Sequence, residues 1–382
     1  MHEKKGVGPA PANKASSAAS TPWHGLRLGD FERVWIACLA ILIGMVVGAI
    51  FVIWSGKSPV VAYQALWQAS FANWGSFGEM LVNVTPLIFT GLAIAFAYRA
   101  NLFNIGAEGQ FIVGQIAAAW AGYAFTGLPA VLHVTAALLV GFLAGALWAA
   151  APAYLKARLG VHEVINTIMM NYIALYFTHY LVNGPLKGHP FLPVTREIAP
   201  TARLLRFMPN AFITESSRVN IGFLIALATA LLIFYLLWKT TVGYEIRAVG
   251  FNPTAAEYRG ISMAKNMILA MLVSGGLAGI GGAVQVLGIQ YKFYDVFAFT
   301  GYGFDGIAVA LIGGNHPAGV VAGAMLFGFL ARGGTLMQSM AGVPKEIINV
   351  IQAAIIIFVA ADLMIRRLFR LKRKGVETHA VE

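Results

Sequence analysis

Apolar residues in this chain gather into long runs with short polar stretches between them. The runs fall at 34–54, 80–97, 105–125, 130–154, 164–182, 219–238 and 266–289, followed by two shorter, glycine-broken runs at 304–314 and 318–331 and a last one at 347–365. A hydrocarbon core about 30 Å thick needs about 20 apolar residues to cross it as a helix. The pattern predicts an all-α fold, a polytopic transmembrane helix bundle of about ten spans with broken helices.

Charge orders these runs. Lys4, Lys5, Lys14, Arg27 and Arg33 precede the first run, and Arg366, Arg367, Arg370, Lys372, Arg373 and Lys374 follow the last. Basic residues close to span ends mark the cytoplasmic side, so both termini are expected there, as are Lys156, Arg158 and the 239–265 connection. The 184–218 loop then lies outside, although Lys187, Arg196, Arg203, Arg206 and Arg218 run against the rule. Its five prolines, Pro185, Pro190, Pro193, Pro200 and Pro209, suit an external cap over the bundle. Residues 1–32 read as a disordered cytoplasmic tail, since the stretch up to Pro22 is rich in Ala, Ser, Pro and Lys and poor in large apolar side chains. The first run continues uncharged to Gly56, too long for a signal core, and is expected to stay as an anchor. Residues 33–366 form the membrane domain and 367–382 a basic cytoplasmic tail.

Composition agrees: 58% of residues are hydrophobic and 11% charged, against about 25% charged in a soluble domain. The net charge of +11 sits in tails and short loops and forms no nucleic-acid groove. Cys38, the single cysteine, excludes a disulfide framework and a cysteine metal cluster.

Glycines recur at helical spacing, as in Gly44 with Gly48, Gly141 with Gly145, Gly275 with Gly279 and Gly319 with Gly323, which suits close helix packing in lipid. Where they cluster, from Ser274-Gly275-Gly276 to Gly281-Gly282 and at Gly313-Gly314-Asn315-His316-Pro317, breaks beside a cavity are expected.

The 243–262 stretch carries a short punctuated helix. Asn252 supplies a capping oxygen, Pro253 fits the first helical position and Gly260 takes the left-handed turn that ends it. Ala255, Ala256 and Tyr258 give it an apolar side; Arg247, Glu257 and Arg259 give it charged edges. Docking into a partner and resting on lipid headgroups both remain open from these residues alone.

Polar residues inside spans are expensive and mark candidate pathway positions. Asn101, Asn104, Glu108, Gln110 and Gln115 form the densest set. Asn104 is placed to cap a helix starting at Ile105, with Glu108 in its first turn; solute binding is the alternative. Thr167, Asn171 and Thr178 share a helical face, with Asn166 and Tyr172 beside it, where interhelical hydrogen bonding competes with a pathway role. Asp305 is open to capping, to pairing with an arginine or to lining the pathway.

The segment Arg99-Ala100-Asn101-Leu102-Phe103-Asn104-Ile105-Gly106-Ala107-Glu108-Gly109-Gln110-Phe111-Ile112-Val113-Gly114-Gln115 resembles the signature of ABC-importer permeases of the branched-chain amino acid, ribose and nucleoside group. Its Asn-Ile-Gly-x-Glu-Gly-Gln form is most similar to the nucleoside and simple-sugar branch, which works with lipoprotein receptors. The 243–261 stretch resembles the coupling loop of that family, 274–279 its following span and 304–314 its late glycine-rich segment. The resemblance covers 86–362 and implies the ABC importer permease fold in the bacterial inner membrane. It implies a second permease subunit, two cytoplasmic ATPase subunits and an external solute-binding protein as partners. ATP and Mg are bound by the ATPase, and no cofactor is expected in this chain. The residues it assigns to ATPase coupling are Gly243, Arg247, Gly250, Asn252, Pro253, Ala255, Ala256, Tyr258 and Gly260.

An engine within the chain is not expected. Gly56-Lys57-Ser58 has Phe51 where a P-loop requires its first glycine. His133, His162, His179, His189 and His316 lack metal spacing, so the chain is not read as an enzyme. Glu108 and Asp305 keep an ion-coupled secondary transporter or channel as the alternative.

Overall fold

The computed structural model describes residues 28–207, 217–344 and 346–360, with side chains from 39 to 358. The 1–32 tail, apart from its last few residues, the 367–382 tail and Pro209 lie outside the described residues. Among those described, the secondary structure is helical, with two isolated β-bridges. The helices are α1 (Leu28–Trp54), α2 (Pro59–Phe71), α3 (Trp74–Tyr98), α4 (Ala107–Ala124), α5 (Ala130–Leu159), α6 (Glu163–Asn183) and α7 (Gly222–Lys239). After them come α8 (Thr241–Phe251), α9 (Pro253–Tyr258), α10 (Met263–Gln285), α11 (Tyr302–Ile312), α12 (Pro317–Ala341) and α13 (Glu346–Ala360).

Among the described residues five helices are long and apolar enough to cross a membrane: α3, α5, α7, α10 with its extension to Gln290, and α12. Leu39–Trp54 in α1, α11 and Glu346–Phe358 in α13 are shorter apolar helices. α3 is the axis of the bundle: α2, α7, α10, α11 and α12 all pack on it. α5 and α10 lie along one another beside α4, and α6 closes that side; on the other side α1 pairs with α13.

A glycine seam explains the tight grouping of α4, α5 and α10. A Cβ on Gly114 would strike the backbone of Gly279, one on Gly145 the carbonyl of Gly275, and one on Gly279 the carbonyl of Gly141. The expected helix break at 274–282 is therefore absent. These glycines bring backbones together and α10 runs straight through them, giving way only at a π-helical turn, Val286–Gln290, which ends at Tyr291 in the left-handed conformation. The break at Gly313-Gly314 is real, since α11 ends there with Gly314 and Asn315 at positive φ.

Three further expectations need correction. The 318–331 run is part of a continuous helix to Ala341 that carries Arg332, because Gly333 packs on Leu66 and Gly334 on Ile348. α4 starts at Ala107, not at Ile105, and is not capped by Asn104. The 243–262 stretch holds two helices: α8, capped by the Thr240 side chain on Gly243 N (3.1 Å), and α9.

The two ends of the bundle differ. At one end the 184–207 segment is strapped to the chain after α10: Thr195 N donates to the Phe293 carbonyl (3.0 Å), Ile198 N to Tyr291 (2.9 Å) and Leu204 N to Leu287 (3.0 Å). Arg218 clamps the same end to α3 through Glu79 (2.7 Å), whose hydrogen bond holds the guanidinium above its ordinary pKa. At the opposite end lie α8, α9, Arg99 and the turn between α11 and α12.

Candidate functional site

Between Arg99 and Ala107 the chain turns back into the bundle, and this return carries its polar side chains into the core. Asn101 makes the turn. Its φ of 56° is a left-handed conformation that asparagine tolerates, and it stays exposed. Asn104 is fully buried and its amide is saturated: Nδ2 donates to Ser274 Oγ (2.8 Å) and to Gln110 Oε1 (2.9 Å). Oδ1 accepts from Gln110 Nε2 (3.2 Å) and Gly106 N (3.1 Å). Ser274 passes the network on to the Ala93 carbonyl (2.6 Å), joining the return to α10 and α3. Asn171 on α6 bonds both the return and the first turn of α4, donating to the Ile105 carbonyl (2.9 Å) and accepting from Gly109 N (2.8 Å). Thr167 and Thr178, on that buried face, bond carbonyls of their own helix.

Glu108 acts on a neighbouring helix. Its carboxylate accepts from Thr300 Oγ1 (2.7 Å), Gly301 N (2.9 Å) and Gly303 N (2.6 Å), so it caps the N-terminus of α11 from α4. Gly303 packs directly on the Glu108 backbone, where a side chain would not fit. With three donors and the positive end of a helix around it, a fully buried carboxylate needs no cationic partner. At about 1.5 Å per residue, the eleven residues of α11 reach across about half of a hydrocarbon core. α11 is a half-helix, preceded by the irregular 291–301 segment.

The remaining candidates divide by exposure. Gln115 is buried against Gly282. Asn166 is half-buried, with an Nδ2 that has no hydrogen-bond partner. Tyr172 is 47% exposed and stands edge-on to Phe299 at 5.1 Å. Asp305 is half-buried; its backbone N–H donates to the Gly301 carbonyl (2.9 Å), and its carboxylate has no hydrogen bond or ion pair among the described residues. The outward face of α5 presents Leu132, Leu139, Leu143 and Leu147, whereas that of α6 presents Tyr172, Tyr176, Tyr180, His179 and Asn183. His179 and Asn183 bond Asp295 at 3.0 Å each. One face suits lipid and the other water, solute or protein.

At the opposite end α9 is capped as its residues require: Asn252 Oδ1 accepts from Ala255 N (3.0 Å), Pro253 opens the helix and Gly260 follows it at φ 77°. Tyr258 is 90% exposed, while Ala256 is buried. Gly250 touches the Arg99 carbonyl, and Gly243 packs on the Leu236 and Leu237 backbone. Arg247 lies over the Trp238 ring at 5.9 Å.

Sequence reasoning missed the surroundings of Trp238. Arg99 covers its ring at 5.0 Å and His316 lies 4.9 Å away. Arg99 also donates to the Asn315 carbonyl. Burial, then Arg247, lowers the Arg99 pKa; burial, then Arg99, lowers that of His316, which favours the neutral ring whose Nδ1 accepts from Ala318 N (3.3 Å). The signal was a tryptophan ending an apolar run beside scattered arginines, too common to single out.

A family model described as a branched-chain amino acid transport system permease component matches residues 76–360. The chain is 45% identical over 346 residues to the guanosine ABC transporter permease protein NupP of Bacillus subtilis, covering 90% of this chain and 98% of the relative. It is 37% identical over 337 residues to the nucleoside ABC transporter permease protein NupB of Lactococcus lactis, covering 87% and 92%. It is 32% identical over 342 residues to the glucose ABC transporter permease protein TsgB13 of Haloferax volcanii, covering 87% and 90%.

Proposed function

The chain belongs to the permease-component family of branched-chain amino acid transport systems and is a permease subunit of an ABC importer, and on that premise we propose that it carries a nucleoside or a sugar-like solute inward. Relatives named for guanosine, nucleosides and glucose support that solute class. So does the polar and aromatic face of α6, where Tyr172 is exposed and Asn166 is half-buried nearby; Asp305 on α11 is half-buried too. In this reading the buried set of Asn104, Glu108, Gln110, Gln115 and Asn171 holds the wall of the pathway in shape.

The protein crosses the bacterial inner membrane ten times, by α1, α3, α4, α5, α6, α7, α10, the 291–301 segment together with α11, α12 and α13. Both termini and the α8–α9 connection lie in the cytoplasm, with the 184–207 strap outside. Arg203 pairs with Glu197 at 2.7 Å, Arg206 bonds the Tyr291 hydroxyl at 2.8 Å and Arg218 pairs with Glu79. Those charges serve local structure, which accounts for a basic loop on the outer side.

The chain holds no cofactor of its own. ATP and Mg belong to an ATPase subunit that meets α8 and α9, with a second permease subunit alongside and an external solute-binding protein above the strap. The observation that carries the coupling role is a fully punctuated short helix, with Tyr258 exposed at its end, held between two spans. Reconstitution with the ATPase and receptor tests it: ATP-driven uptake of labelled guanosine or glucose is expected, and scrambling 252–260 abolishes it. Uptake that survives the scramble overturns the coupling role, and uptake by this chain alone on an ion gradient overturns the importer reading.

A further inference from the structure

The side chains around Trp238 join elements that the coupling reading leaves separate. The indole ends α7. Arg99, capping the C-terminus of α3, covers the ring at 5.0 Å, and Arg247, from α8, lies over it at 5.9 Å. His316, in the turn between α11 and α12, packs on it at 4.9 Å, and Phe234 stacks on it at 5.3 Å. Arg99 ties in the same turn a second time through the Asn315 carbonyl, and Gly250 of α8 presses on the Arg99 carbonyl.

Neither arginine is hydrogen-bonded or ion-paired to an acid among the described residues, and each one's Nε is buried without a partner. Two like charges side by side repel, and the Trp238 ring that both cations approach offsets that repulsion with an attraction to each. Contact thus runs from α8 through Arg247, Trp238 and Arg99 to the Gly313-Gly314-Asn315 turn. That turn ends α11, whose other end is held by Glu108. Among the described helices α11 is short, hinged on positive-φ residues and fixed at both ends by polar contacts.

We propose that Trp238, with Arg99 and Arg247, is the positioning clasp through which displacement of the α8–α9 connection moves the half-helix α11 beside the solute pathway. The proposal rests on the reading that this connection meets the ATPase. Such a relay requires a contiguous element with two arrangements that both ends bias. α11, anchored to Glu108 at one end and to the clasp at the other, supplies the contiguous element.

The test uses the complete transporter in proteoliposomes and reads solute imported per ATP hydrolysed. With Trp238→Leu the ATPase rate is expected to persist, while import per ATP falls at least about fivefold, the lower edge of usual coupling strengths. Trp238→Phe, which keeps a π-face, restores most of it, and Arg247→Met, which keeps bulk but loses charge, falls between. Import per ATP equal to wild type in Trp238→Leu overturns the clasp, as does a proportional fall of import and hydrolysis, which would mark lost docking. If Trp238→Leu fails to assemble, Arg247→Met decides on the same ratio. A wild-type complex with no ATP-driven import counts against the importer reading and is distinguishable from either result.

Discussion

Glu108 concentrates structure in one side chain, since a single carboxylate on α4 holds the first turn of α11. Glu108→Ala leaves the Gly301 and Gly303 amides without their acceptor, and each buried unsatisfied donor costs about 1–3 kcal/mol. The variant is expected to unfold at a lower temperature in detergent and to lose uptake; Glu108→Gln, which keeps one carbonyl oxygen, should lie between it and wild type. An unchanged melting midpoint for Glu108→Ala would contradict the capping role. The density of polar residues from Asn101 to Gln115 was legible in the sequence because amides and a carboxylate are rare inside apolar runs. Their partners were not. Ser274, Thr300 and Gly303 lie more than a hundred residues away, and nothing local tells a carboxylate which helix end it will cap.

At the scale of elements, local punctuation proved the surest guide. Asn252, Pro253 and Gly260 delimit α9 as their chemistry requires, and the cap is worth about 1 kcal/mol. Asn252→Ala should therefore fray α9, seen as faster amide hydrogen exchange over 254–258, and should weaken co-purification of the ATPase; unchanged exchange would refute the capping account. α8 was less visible, since its start at Thr240 is marked only by one hydroxyl after an apolar run. The glycine clusters misled for a physical reason: glycine permits both a break and a close approach, and the choice lies with the neighbouring helix. Gly145 and Gly141 face Gly275 and Gly279 across the α5–α10 contact, so α10 stays helical there. Gly279→Val forces α5 and α10 apart and should destabilise the fold by about 1–3 kcal/mol or more, measured as a loss of monodisperse protein on heating in detergent.

For the whole molecule, the apolar runs carry most of the helices, because lipid forces backbone polar groups into them. What they omit is α2, which falls between the first two apolar runs, and the strap from 184 to 207, whose hydrogen bonds to the chain after α10 depend on the completed bundle. Sidedness is testable at single positions, since Cys38 is the only cysteine and Cys38→Ser gives a blank background. Phe191 and Tyr258 are each 90% exposed, at opposite ends of the bundle. An impermeant thiol reagent added to intact cells should label Phe191→Cys and spare Tyr258→Cys; the reverse pattern would invert the topology. The backbone-to-backbone contact of α4, α5 and α10 limits how such a machine can work. Packed helices shear by small sliding movements, and a join whose glycine seam sets backbone on backbone leaves little room for them. On the proposed pathway reading these three helices move as one block, and the solute path runs along its flank, past α6 and α11.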